Sequence, residues 1–195
     1  MGMATAPKKR WTIDMVRALP DDRNRYEIID GELFVTPAPS WTHQGAVLEL
    51  ALRLKPYLKA TRLGHQIIAP ADVEVAPDTM VEPDLFVVPP AAGRLPRSWT
   101  EAGRLLLVVE VLSPTTARVD RVRKRALYAR MAVPEYWIVD VDARVVERWR
   151  PDDQRPEVVS DRLLEWRPEA AHPALTIDLV DYFAEVTGEA LGPTE

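Results

Sequence analysis

The sequence has no cysteine among its 195 residues. That excludes disulfide frameworks, thiol nucleophiles, cysteine-ligated zinc and iron–sulfur centres. Glycine is scarce, at 8 residues against 18 prolines, so the turns are expected to be punctuated by proline. None of the patterns GxGxxG, P-loop, HExxH or GxSxG occurs, and no repeat shows at a period of 20 to 50 residues. No apolar run approaches the roughly 18 residues of a membrane span, the longest being 105–109. A net positive charge is also missing: the formal balance is −5, so any contact with nucleic acid needs a local basic patch. No apolar segment follows Met1 as in a secretory signal, which makes the cytoplasm the expected compartment. What remains is 47% hydrophobic and 28% charged, the profile of one globular domain over 1–195, with 1–10 expected to fray.

Periodicity orders the elements. Residues 11–19 read as a short helix with Thr12 as N-cap and Pro20 as stop. Two short apolar runs flank Asp30-Gly31, a strong hairpin signal. In 42–60, Val47, Leu50, Ala51, Leu54 and Leu58 form one helical stripe, with Pro56 expected to kink or end the helix near Lys55. Residues 66–75 read as one interrupted strand or a strand pair, 85–88 as a short strand, and 89–100 as a loop. Residues 105–112 lack alternation and predict a central strand covered on both faces. A second helix over 119–131 is expected to bury Val119, Val122, Ala126 and Ala129. Strands follow at 136–141, 145–149 and near 163–166, then a C-terminal segment at 177–186. The order predicts an α/β (α+β) fold with a mixed central β-sheet flanked by helices.

Glu110 stands out because it lies inside the apolar run LLLVVEVL at 105–112. An unpaired carboxylate there costs several kcal/mol or takes up a proton. One compensation is an ion pair with an arginine; the other is a metal. Asp84 opens the next strand back, and two carboxylates brought together by strand pairing need a cation or a shared proton. With no cysteine and three histidines, oxygen ligands favour Mg²⁺ or Mn²⁺ over zinc. On the helix after Glu110, Asp120, Lys124 and Tyr128 recur at i, i+4 and i+8. Arg121, Arg123 and Arg125 make that helix basic, either as a solvated face or as a phosphate-binding one. Glu32 and His43 are candidates for the border of the same cleft, with hairpin and helix-end roles as the plainer alternatives.

Several blocks together resemble the Uma2 family, also called DUF820. They are YEIIDGE at 26–32, PSxxH at 39–43, Pro83-Asp84, VEVLSPTT at 109–116, DxxxKxxxY at 120–128 and VPEYWIVD at 133–140. The resemblance covers 24–150 and leaves 151–195 as an extension packing on that core. It implies the restriction-endonuclease-like core of the PD-(D/E)xK nucleases and metal-dependent phosphodiester hydrolysis. By position, Asp84 and Glu110 would bind Mg²⁺ or Mn²⁺, with the Val111 carbonyl as a further ligand. Leu112 stands where the superfamily pattern has its lysine. Lys124 resembles the family's lysine on the following helix and would stabilise developing charge or position the attacking water. Asp120 and Tyr128 would support it, and Glu32 and His43 would complete the outer shell. The implied partners are nucleic acid, DNA before RNA, and a second copy, for which Trp149, Trp166 or Phe183 could supply apolar surface. A non-catalytic nucleic-acid- or protein-binding module on the same fold is the alternative.

Overall fold

A computed structural model describes residues 9–22, 24–159 and 163–189. The expectation of fraying over 1–10 falls mostly outside them. Of the two described residues, Lys9 lies over the Trp11 ring at 3.9 Å and Arg10 pairs with Asp78.

The chain opens with α1 (Ile13–Arg17), whose first turn donates the Met15 N–H to the Thr12 hydroxyl. The hairpin β1 (Arg25–Ile29) and β2 (Glu32–Thr36) turns at Asp30 and Gly31, both at positive φ. Helix α2 (Trp41–Thr61) buries Val47, Leu50, Ala51, Leu54 and Leu58, the predicted stripe. It does not stop at Pro56. Pro56 and Leu52 are both exposed, so the carbonyl that loses its partner faces water and the helix runs on to Thr61.

The segment 66–75 resolves into β3 (His65–Ile68) and β4 (Val73–Ala76), which join different sheets around Pro70. Between β4 and β6 (Leu85–Val88) lies β5 (Thr79–Val81), three residues long and without a periodic signature of its own. The expected loop at 89–100 holds the start of a one-turn helix, α3 (Trp99–Ala102). Then come β7 (Leu107–Val111), a π-helical segment (Val119–Lys124) leading into α4 (Arg125–Arg130), β8 (Tyr136–Asp140) and β9 (Val145–Trp149). The chain ends in β10 (Glu157–Val159), β11 (Leu163–Trp166), β12 (Leu175–Asp178) and α5 (Leu179–Thr187).

The central sheet is mixed, in the order β10-β9-β8-β7-β6-β3, with β7 and β8 parallel across the helical connection. A second sheet, β2-β1-β5-β4, carries the hairpin, and β11 pairs with β12 apart from both. Strand β7 lies inside the central sheet, and its five residues are buried, as the missing alternation predicts. One core fills the α2 side of this sheet and extends to Trp166, Ile177, Tyr182 and Phe183. The other fills the α4 side. Trp166 and Phe183 are therefore core residues and do not supply the apolar surface expected for a second copy; Trp149 is half-buried, with Arg125 over its ring. Among the described residues, no helix is long and apolar enough to cross a membrane.

The helix between β7 and β8 corrects a second expectation. Val122 and Ala126 face solvent, while Asp120, Lys124, Leu127 and Tyr128 are buried. The Arg125 N–H bonds the Asp120 carbonyl, an i→i+5 step that widens the turn. The polar i, i+4, i+8 set turns inward; of the expected apolar set, Val119 packs against the α4-side core and Ala129 is half-buried, while Val122 and Ala126 are not buried.

Ser40 caps α2 by accepting from the His43 N–H at 3.2 Å. Ser40→Ala is expected to cost about 1 kcal/mol, read as a lower denaturant midpoint. An unchanged midpoint would show that the cap is dispensable.

Candidate active site at the end of strands β6 and β7

Strand alternation selects the residues of the site. On β7, Val109 and Val111 join the α2-side core, so Val108 and Glu110 face α4. On β6, Phe86 and Val88 face the same way, which carries Asp84 with them. Leu85 pairs with Val109, so one step further sets Asp84 opposite Glu110. On β1, Arg25 and Glu27 share the face of Ile29, which packs in the α4-side core.

Lys124 ties these strands together. Its ammonium lies 2.9 Å from Glu110 Oε1, 2.9 Å from Glu27 Oε1 and 3.7 Å from Asp120 Oδ1. The Tyr128 hydroxyl donates to Glu110 Oε1 at 3.0 Å. Asp84 is held from three sides: Arg25 at 2.9 Å, His43 Nε2 at 3.0 Å and the Val111 N–H at 2.8 Å. Glu27 also accepts the Glu82 N–H at 2.8 Å, and the Tyr136 hydroxyl donates to the Asp120 carbonyl at 3.2 Å.

Glu27, Asp84, Glu110, Asp120 and Lys124 are all at most 2% exposed. Four carboxylates thus face two permanent cations, Arg25 and Lys124, leaving two negative charges in excess if His43 is neutral. The excess shows in the titration. Burial is the main force pushing Glu110 well above the usual carboxylate range; Asp84, Asp120 and Glu27 add to it, and Lys124 opposes it. Burial raises Asp120 as well, against Lys124 and a hydrogen bond from Thr116. Burial also works against the charge on Asp84, but His43, Arg25 and Lys124 outweigh it and hold the carboxyl low. Lys124 is moved the other way: burial favours losing the proton, and the surrounding carboxylates more than restore it.

Two cavities approach this cluster. One of about 390 Å³ is lined by Arg25, Thr36, His43, Val111, Thr116 and Asp140 among others. The second, of about 440 Å³, reaches Asp84, Glu82 and His43. Glu110 and Lys124 line neither and lie behind Asp84 and the Val111 backbone. Among the described residues, no three Asp, Glu or His side chains form a ready-made metal cage. The Asp120 Oδ1 atom and His43 Nδ1 are buried without a hydrogen-bond partner.

The family model for Uma2, described as "Putative restriction endonuclease", matches residues 13–180. The chain belongs to the Uma2 family. Among curated proteins, no relative matches. The crystal structure of a putative nuclease belonging to DUF820, from Anabaena variabilis ATCC 29413, aligns with TM-score 0.73 and 22% identity. The alignment covers 90% of this chain and 99% of that one, and establishes the shared fold.

In this Uma2 chain, Asp84, Glu110, Lys124, Asp120, Tyr128 and His43 come together, whereas Glu32 does not join them. Glu32 sits at the start of β2 and pairs with Arg123 at the surface. The three arginines expected to form a phosphate-binding face are each engaged within the chain. Arg121 bonds Glu147 at 2.7 Å and Asp140 at 3.3 Å, at the edge of the first cavity. Arg123 holds Glu32, and Arg125 lies 4.4 Å over the Trp149 ring and bonds the Asp153 carbonyl. Leu112, at the usual lysine position, packs against the α4-side core.

Sequence reading missed Arg25 and Glu27 in the Uma2 site. A hairpin residue is equally at home on a surface. The available signal was alternation, because Glu27 shares a strand face with the apolar Ile29.

The titration of the Uma2 cluster has a stability consequence. A carboxyl whose folded-state pKa is raised binds its proton more tightly in the folded state. Its contribution is complete below the ordinary value of 4.5 and is lost as pH rises through the folded-state value. Asp84 acts oppositely, but only in acid below its ordinary 3.8. Metal-free protein should therefore be more stable at about pH 5.5 than at about pH 8. Denaturant midpoints under chelation check this, and Glu110→Gln should shrink the difference. Equal wild-type midpoints would contradict it.

Proposed function

We propose that this chain is a divalent-metal-dependent nuclease with Asp84, Glu110 and Lys124 at its centre. One observation carries the reading. Two acids stand opposite each other at the ends of adjacent strands, with a buried lysine 2.9 Å from one of them. The donor set fits Mg²⁺ or Mn²⁺: hard oxygens, two surplus negative charges and, on Asp120, a buried acceptor that receives no hydrogen bond. A Mg²⁺-like ion keeps several waters and needs only one or two carboxylates, so a complete protein cage is not required. When bound, the ion polarises a phosphate oxygen and lowers the pKa of a water.

The chain's own residues supply the rest. Asp84 and Glu110 would hold the ion, with the Val111 carbonyl beside them. Arg25 and His43 orient Asp84 and keep it ionised. Lys124, fixed by Glu27 and Glu110, would stabilise charge developing on the phosphate. Tyr128 and Asp120 keep Lys124 and Glu110 in register. The family description supports DNA as the substrate.

The test offers purified protein supercoiled plasmid, linear duplex, single-stranded DNA and RNA, each with Mg²⁺, Mn²⁺ or EDTA. Cleavage that needs metal and disappears in Glu110→Gln supports the reading. Folded protein that binds nucleic acid but cleaves none of these substrates would overturn it and favour the binding module. The expected homodimer is checked by light scattering, where a monomeric mass at micromolar concentration would remove it.

A further inference from the structure

A cavity of about 640 Å³ lies at the opposite end of α2 from His43, roughly 20–30 Å along the helix. It also lies beyond the far end of β6, whose near end carries Asp84. Its rim carries Lys55, Lys59 and Arg62, spaced i, i+4 and i+7 on one helical face, with His65 opposite. Its walls include the apolar Leu58, Leu95 and Pro90.

These three cations keep their charge free for a ligand. Arg10, Arg17, Arg25, Arg53, Arg121 and Arg148, among others, pair with carboxylates. Lys55, Lys59 and Arg62 make no ion pair among the described residues. A helix C-terminus favours positive charge, which accounts for the sign of Lys59 but not for the cavity the three surround. Arg62 also holds the left-handed C-cap position at φ 58, where glycine or asparagine is the usual choice. Gln66 lies in the same wall. Its amide nitrogen donates to the Ala51 carbonyl at 2.9 Å, while its oxygen is buried without a donor. A ligand for this place carries negative charge for the rim and an apolar body for the walls. A cavity of this size takes such a molecule.

We propose that this cavity binds a nucleoside phosphate, either free or as the 5′-phosphorylated end of a strand. It is separate from the candidate active site and does not depend on the nuclease reading.

Isothermal titration calorimetry on the full chain in EDTA tests this. The probes are purine and pyrimidine nucleoside triphosphates, the matching nucleosides, inorganic triphosphate, and short oligonucleotides with a 5′-phosphate or a 5′-hydroxyl. The expected result is binding of a nucleoside triphosphate or of the 5′-phosphorylated strand, tighter than about 1 mM. The first outcome assigns a free nucleotide and the second a strand end. Lys55→Gln/Lys59→Gln/Arg62→Asn should weaken that binding at least about tenfold for three lost charge contacts, with thermal unfolding little changed. Leu95→Trp, which fills the cavity from its wall, should weaken the nucleotide more than inorganic triphosphate. Glu110→Gln should bind as wild type does. No binding of any probe would overturn the proposal. So would inorganic triphosphate matching the nucleotide, a 5′-hydroxyl strand matching the phosphorylated one, or binding unchanged in the triple variant.

Discussion

Glu110→Gln should lower metal-dependent cleavage by at least about 100-fold, since loss of a ligand costs no less than loss of the group that orients one. The same variant should be at least as stable as wild type in metal-free buffer at neutral pH. Glutamine keeps an acceptor oxygen where Lys124 and Tyr128 now bond Glu110. It removes one of the cluster's four carboxylate charges, one that burial pushes well above the usual carboxylate range. Loss of activity with gain of stability separates a group held for chemistry from one held for structure. Plasmid nicking in Mg²⁺ and a denaturant midpoint in EDTA read the two halves. Cleavage at the wild-type rate would reduce Glu110 to a partner of Lys124.

Lys124→Met should do the opposite to the fold. The ammonium is the shared counter-charge of Glu27, Glu110 and Asp120, and all four groups are buried. Methionine keeps much of the length but leaves three carboxylates facing one another. Removing one partner of a buried pair costs about 3–5 kcal/mol, which for a chain of this size lowers the melting temperature by roughly 10 °C. Adding Glu110→Gln to Lys124→Met should recover part of the loss, because the second change deletes a charge the first left unpaired. A melting temperature for Lys124→Met within a degree or two of wild type would mean that protons, not the lysine, neutralise the cluster. Cleavage per folded molecule should be lost in either case.

The two apolar strands and their acids were legible because they break a pattern. Glu110 interrupts a wholly apolar run, and Asp84 opens the neighbouring one. The spacing of Asp120, Lys124 and Tyr128 was visible too, but which face of that helix turns inward was not. Both sets, Val119-Val122-Ala126-Ala129 and Asp120-Lys124-Tyr128, fit one helical period on opposite faces, and the chain buries the polar one, leaving Val122 exposed. Arg25 and Glu27 were hidden for another reason. A β1-β2 hairpin with one face in water looks the same in sequence as one whose face is covered. Only the packing of β1 beside β5 and over α4 decides it. Glu32, one turn away on the same hairpin, shows the other outcome at the surface.

The four carboxylates of the cluster come from positions 27, 84, 110 and 120, and Lys124 follows the last of them. The sheet that presents two of them rests on a core completed by Trp166 and Phe183. The acids themselves face the other core, whose buried members run from Ile29 to Ile138. They are gathered from four separate stretches of the chain, so a break that parts any one stretch from the rest takes away a counter-charge of the lysine together with a ligand or support of the proposed ion.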